Sequence, residues 1–334
     1  MAHAAIISRP CLLDSRAPHL DNRRMSTSQE LPEGHRSGFV ALAGRPNVGK
    51  STLVNALLGQ PIAAVSPRPQ TTQFEQSAIL TLPQAQIIMA DTPGIHQPHH
   101  KLGEILDQGT ARPIRQADVV LALFDLSQPP TDDDRRVAER LAQLAQPGTT
   151  VVGLNKVDLV ATHALEGQRQ VFSDLLPGAA HRILLSATSG QGLDELLEIL
   201  MGLLPEGPRW YPEAEVTNRY ERDLAADLIR AAALDLLQDE VPHSIAVRID
   251  EYTERGEDGA YIQATLFVER ESQKGIIIGK GGAMIRQLGT AARRRIEAMS
   301  DRNVYLDLRV KVEPGWRNSE AALKRFGYLP GGDR

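Results

Sequence analysis

The chain has 334 residues, 42% of them hydrophobic and only 4% aromatic, enough for a full core and two domains and unlike a disordered or fibrous composition. Its single cysteine, Cys11, leaves no disulfide framework and no cysteine-based metal site, which suits a reducing compartment. A formal net charge of -5 argues against nonspecific nucleic-acid binding by the whole chain but leaves room for a local basic surface.

Residues 1–36 mix Arg9, Arg16, Arg23 and Arg24 with Asp14 and Asp21. They read as a disordered extension, or as sequence ahead of a true start at Met25, and the acidic residues weigh against a mitochondrial transit peptide. From Ser37 onward, apolar strand-like runs alternate with amphipathic helical ones, the arrangement of an α/β sheet covered on both faces. The predicted strands are "FVALA", "SAILTL", "QIIMA", "VVLALF", "TVVGLN" and "RILLS", and the predicted helices 50–58, 101–116, 131–145, 165–176 and 192–203. A tight "PQA" joint between the second and third strands predicts one antiparallel pair in an otherwise parallel sheet. The longest apolar runs, such as 119–124 and 276–278, fall far short of the roughly 18 residues that span a membrane.

At "PEGPRWYP" three prolines in eight residues stiffen the chain as a connector, placing a boundary between residues 37–204 and 217–330 with a linker at 205–216. Beyond it a helical stripe over 222–237 precedes the alternating strands "SIAVRID", "YIQATLFVE" and "VYLDLRVKV", giving the order α-β-β-α-α-β.

The motifs sit at the predicted strand ends. "GRPNVGKST" holds Gly44, Asn47, Val48, Gly49, Lys50, Ser51 and Thr52, where two glycines let backbone N–H groups turn inward to cradle phosphates at a helix N-terminus. Lys50 would reach the β and γ phosphates and Ser51 would offer its hydroxyl to Mg²⁺. "DTPG" supplies Asp91 for the Mg²⁺ shell, then Thr92, with the Gly94 N–H for the γ phosphate. Alone that string is weak, since an Asp and a Gly three apart occur about once per chain by composition. "NKVD" selects guanine: Asp158 presents two coplanar acceptors to the N1–H and exocyclic amine, Asn155 ties neighbouring loops, and the Lys156 stem covers the purine. "SAT", which is Ser186, Ala187 and Thr188, follows the next strand and supplies a backbone N–H to the base oxygen. Their order after successive strand ends persuades more than any one string, because ligands of open α/β sheets collect there.

"GRPNVGKST", "PQTT", "DTPG", "NKVD" and "SAT" in this order resemble the Era family of bacterial GTPases, over nearly everything from Ser37 to Pro330. The resemblance implies a P-loop GTPase domain of mostly parallel sheet with helices on both faces, followed by an α+β type II KH domain, binding GTP or GDP with Mg²⁺. It makes Thr72 the switch residue that meets Mg²⁺, with Thr71 its near alternative, although Gln73 stands where the family usually has a basic residue. The second switch carries Ile95 where Ras-type enzymes orient water with glutamine. Slow hydrolysis by other means is the expectation, and Asn47 resembles the residue that helps hold K⁺ in related potassium-stimulated GTPases.

"GIIIGKGGAMIRQLG" in the second half resembles the glycine loop of a type II KH domain, which clamps about four nucleotides of single-stranded RNA. Lys274, Ile278, Gly279, Lys280, Gly281, Gly282 and Arg286 are the RNA-binding candidates, whereas Arg293, Arg294 and Arg295 singly read better as a solvated helix face. The family implies the 3′ end of 16S ribosomal RNA and the 30S subunit as partners, a monomer in the cytoplasm, and peripheral attachment to the inner membrane. Competing readings are a metabolic P-loop kinase, an RNA-binding scaffold with a vestigial nucleotide site, and a GTPase acting on another RNA.

Overall fold

The computed structural model describes residues 32–66, 76–91, 94, 101–146, 148–238, 241–256 and 258–329. Thr71, Thr72, Thr92, Ile95 and the extension up to residue 31 lie outside them.

The first half alternates strands and helices in chain order: β1 (Arg36–Ala43), α1 (Lys50–Leu58), β2 (Gln76–Thr81), β3 (Ala85–Asp91), α2 (Lys101–Gln116), β4 (Val119–Asp125), α3 (Asp132–Leu144), β5 (Thr150–Asn155), α4 (Thr162–Ser173), β6 (His181–Leu184) and α5 (Leu193–Leu203). The sheet runs β2-β3-β1-β4-β5-β6, and only β2 is antiparallel to its neighbour, as the short joint predicts. Because side chains alternate across a strand, β4 sends Val119, Leu121 and Leu123 into the core under α1 and α5, and Val120, Ala122 and Phe124 into the opposite core under α3 and α4. Each fully buried valine, leucine or phenylalanine among them contributes about 1.5–3 kcal/mol. Burial on both faces leaves only the strand ends and edges for function.

Two departures from the sequence reading have local causes. Helix α4 ends at Ser173, not at 176, because Pro177 disfavours helical backbone in the residue before it, and Leu176 is instead buried from a turn. The proline connector is also fastened. Buried Gln86 accepts the N–H groups of Trp210 (2.7 Å) and Tyr211 (2.9 Å), and the Ile79 N–H donates to Val216 O (2.9 Å), so the segment covers the β2 edge.

The second half contains α6 (Glu221–Leu236), β7 (Ala246–Glu254), β8 (Gly259–Val268), α7 (Glu271–Ile278), α8 (Ala283–Ser300), β9 (Asn303–Val312) and a final α9 (Glu320–Arg325) that periodicity did not signal. Its sheet is β7-β8-β9, with β8 and β9 parallel through the α7–α8 crossover. The helices bury one face.

The halves are packed together at two places. Ile62 and Ala64, which follow α1, lie in the same apolar cluster as Leu228 and Ile229 of α6. Leu102, in the first turn of α2, joins Trp316, Phe267 and Phe326. Polar contacts accompany both: Ser66 Oγ donates to Asp235 Oδ1 (2.5 Å), which Arg295 also engages, and Lys101 Nζ lies 3.3 Å from Glu320. These contacts flank the two segments, 67–75 and 95–100, that carry the switch candidates.

Candidate functional site

Helix α1 starts directly from Gly49, whose φ of 102° is open to glycine, and no side chain caps its first turn. A Cβ on Gly49 would lie 2.3 Å from Asn155 Nδ2, and one on Gly44 would lie 2.5 Å from Leu123 O. The loop therefore fits only with both side chains missing, and its backbone donors stand at the positive end of the helix dipole. Val48 is buried, anchoring the loop, while Asn47 is exposed at φ 65°.

Lys50 is buried, and its ammonium donates to the Gly44 and Arg45 carbonyls, each at 3.1 Å. Burial pushes its pKa down to about 8, Asp91 draws it up, and Arg45 adds to the lowering. Ser51 Oγ donates to Asp91 Oδ2 at 2.8 Å, so the two oxygens expected around Mg²⁺ are already neighbours. This pair of hard oxygen groups beside a phosphate cradle is the donor chemistry Mg²⁺ takes, with phosphates and water completing the shell. Gly94 presses on the same loop, since a Cβ there would lie 2.7 Å from Pro46 N.

On the base side, Asn155 is buried at the end of β5 and bridges two loops: its Nδ2 donates to Val48 O at 2.7 Å, and its Oδ1 accepts the Ala187 N–H at 3.0 Å. The Ala187 amide is thereby engaged, and Thr188 is exposed beside it. Ser186 is buried and holds the turn through Oγ, which accepts the Ser189 N–H at 3.1 Å. Asp158 is exposed at the rim, one residue beyond the buried Val157.

Sequence reasoning missed a charged bridge beneath these motifs. Asp125, at the end of β4, accepts Lys156 Nζ at 2.7 Å and lies 3.6 Å from Arg45, whose Nε also donates to both oxygens of buried Asp134 at 3.1 Å. Burial alone would raise the Asp125 carboxyl, yet hydrogen bonds from Lys156 and Ser127 outweigh it and hold it below the ordinary carboxylate value. Asp134 also closes the capping box of α3 with Thr131, so the bridge links the phosphate loop, the base motif and a helix start. Its signal was the position of Asp125 at a strand end, among the other motif residues.

In the second half, Gly279, Gly281 and Gly282 have φ of 71°, 59° and 75°, a run that side chains would strain. Lys280 and Arg286 are exposed around that loop, and Ile278 is half-buried. Lys274 lies on α7, 3.9 Å from Glu271, whereas Arg295 is turned away to Asp235. An open groove of about 440 Å³ runs between α8 and β9, lined by Arg286, Thr290, Arg293, Tyr305, Leu306 and Leu308. Of these, Arg286 is an RNA-binding candidate from the sequence, whereas Arg293 reads there as part of a solvated helix face.

Among known proteins, residues 39–156 match the family described as 50S ribosome-binding GTPase and residues 240–317 the family described as KH domain. The chain is 43% identical over 295 residues to GTPase Era of Mycobacterium sp. strain JLS, covering 88% of this chain and 99% of that one. It is 45% identical over 307 residues to GTPase Era of Rippkaea orientalis, covering 91% and 96%. A crystal structure of Era in complex with MgGDPNP and nucleotides 1506–1542 of 16S ribosomal RNA superposes with a TM-score of 0.83 at 35% identity, over 88% of this chain and 99% of that one. Aquifex aeolicus Era Y63A bound to GDP and aluminium fluoride gives a TM-score of 0.81 at 35% identity, with the same coverage.

Proposed function

The chain belongs to the Era family of GTPases, and from that we propose a GTP-driven switch that binds the 3′ region of 16S ribosomal RNA and assists assembly of the 30S ribosomal subunit. The observation that carries the proposal is the likeness, across both halves, to an Era structure holding MgGDPNP and 16S ribosomal RNA nucleotides. A metabolic kinase is set aside by family membership. Residues 37–204 form the GTPase unit on this reading, 205–216 the connector and 217–330 the KH unit.

Gly44, Asn47, Val48, Gly49, Lys50, Ser51 and Thr52 bind the phosphates, with Thr92 and Gly94 beside the γ position. Ser51, Asp91 and Thr72 hold Mg²⁺, which when bound neutralises charge on the terminal phosphates. Asn155, Lys156, Asp158 and Thr188 take the guanine, with Ser186 and Ala187 shaping that turn. The Ile95 side chain has no group to orient water, so positioning and charge do the work, and K⁺ held near Asn47 supplies part of that charge. Thr71, Thr72 and Ile95 then report the nucleotide to the KH unit, because the segments flanking the switches rest on it at Ile62, Ser66 and Leu102.

RNA lies along the α8–β9 groove, clamped at Gly279 to Gly282 and met by Lys274, Ile278, Lys280 and Arg286. No helix among the described residues is long and apolar enough to cross a membrane. A cytoplasmic monomer acting on the 30S subunit fits this reading, and peripheral attachment to the inner membrane rests on family resemblance alone. The test is the affinity of the full chain for an RNA spanning nucleotides 1506–1542, measured with GDPNP and with GDP. Tighter binding with GDPNP supports the switch, and no binding in either state refutes it.

A further inference from the structure

We infer that Tyr305 is a stacking platform for one unpaired RNA base, at the point where the α8–β9 groove runs over the edge of the sheet; the inference rests on the RNA reading of that groove. Tyr305 is the most exposed large hydrophobic side chain among the described residues, at 68%. It pairs in register with Tyr261 on β8, and their rings stack at 5.7 Å with an interplanar angle of 20°. The guanidinium of Arg255, just past the end of β7, lies 4.8 Å from the centre of the Tyr261 ring, and the Tyr261 hydroxyl accepts Gln263 Nε2 at 3.2 Å. The ring row is held from one side only.

Strand β9 is the edge of the sheet, so no strand lies beyond Tyr305. Its ring face away from Tyr261 is therefore turned toward open solvent. A cross-strand aromatic pair stabilises a sheet only modestly, which would not by itself favour leaving one ring two-thirds bare. The outer sheet face explains the choice of place. Its other end is covered where Phe267 packs with Trp316 and Phe326, while the Tyr261–Tyr305 end has no such cover among the described residues.

Tyr305 also lines the groove itself, with Arg286 and Arg293. A strand of RNA whose phosphates follow those arginines would pass the edge of β9 beside the ring. A base splayed out there gains a flat π-face already fixed by Tyr261, at small cost in side-chain freedom. Stacking of this kind accepts any base, so the platform would add affinity and set the path of the chain without reading sequence.

The experiment uses the full chain with GDPNP and Mg²⁺, and RNA spanning nucleotides 1506–1542 in which 2-aminopurine replaces one unpaired base at a time. Wild type and Tyr305→Phe should bind alike and quench the probe at one position. Tyr305→Leu, which keeps bulk and strand preference but has no ring, should bind about tenfold more weakly and lose that quenching, with its melting temperature kept. Equal affinity of Tyr305→Leu and wild type overturns the platform while leaving the RNA groove standing. A matching loss in Tyr305→Phe assigns the effect to the hydroxyl and also overturns it. Failure of wild type to bind the RNA removes the groove reading, and the platform with it.

Discussion

The backbone N–H of Lys101 donates to Asn318 Oδ1 at 3.2 Å, joining residues 217 apart in the chain. Next to it, Leu102 is buried in the cluster of Trp316 and Phe326. The helix that follows the second switch candidate, Ile95, is thus seated on the KH half. Leu102→Ala should cost about 2 kcal/mol or more of stability and shrink the difference in RNA affinity between the GDPNP and GDP forms. Thermal melts and paired RNA titrations check both, and an unchanged difference would separate Leu102 from the coupling.

Asp158 is exposed, and the guanine assignment makes its carboxylate the acceptor pair for the base. Asp158→Asn exchanges one acceptor for a donor, which should weaken GTP binding by at least about a hundredfold and improve binding of xanthosine triphosphate. Competition titrations with both nucleotides measure it. Unchanged GTP affinity would refute the guanine assignment.

Lys50 ties affinity to pH. Its pKa in the nucleotide-free protein is about 8, below the ordinary 10.5, so between those values the folded chain carries fewer protons than the unfolded one. Stability of the free protein should therefore rise from about pH 8 to 10.5, on the order of 3 kcal/mol. Phosphates favour the ammonium, so GTP affinity should fall over the same window and binding near pH 8.5 should take up protons. Calorimetry in two buffers of different ionisation heat detects that uptake, and its absence would contradict the assignment of Lys50 to the phosphates.

Asn155→Ala would strand the Val48 carbonyl and the Ala187 amide, at about 1–3 kcal/mol for each buried group left unpaired. Nucleotide affinity should drop at least tenfold even though the residue is buried behind the loops. A drop confined to thermal stability, with affinity intact, would make Asn155 purely architectural.

Turnover of GTP should be faster in K⁺ than in Na⁺ buffer, and Asn47→Ala should remove most of the difference. Equal rates for the wild type in the two salts would leave Asn47 as a residue that only shapes the loop.

The two-sided burial of the first sheet was readable because strands such as "VVLALF" are apolar throughout, and the antiparallel β2 because its joint to β3 is too short for a crossover. The glycines at 44 and 49 announced a close approach, and the structure supplies what they approach: Leu123 O and Asn155. The Asp125 bridge was hidden because its partners lie far apart in sequence, so the one signal, Asp125 at a strand end, did not name Arg45 or Lys156 as its partners. Tyr305 was hidden too. Alternation placed it on the polar side of β9, but only the pairing register shows that Tyr261 lies beside it.

The proline connector invites a cut between the halves, yet the apolar seams cross that line. Severing the chain near Pro208 would bare Leu102 and Ile62 to water on one fragment and Trp316 and Ile229 on the other. Each piece would lose part of its own interior, so the two regions inherit cohesion from one another and heat should disrupt them as one body.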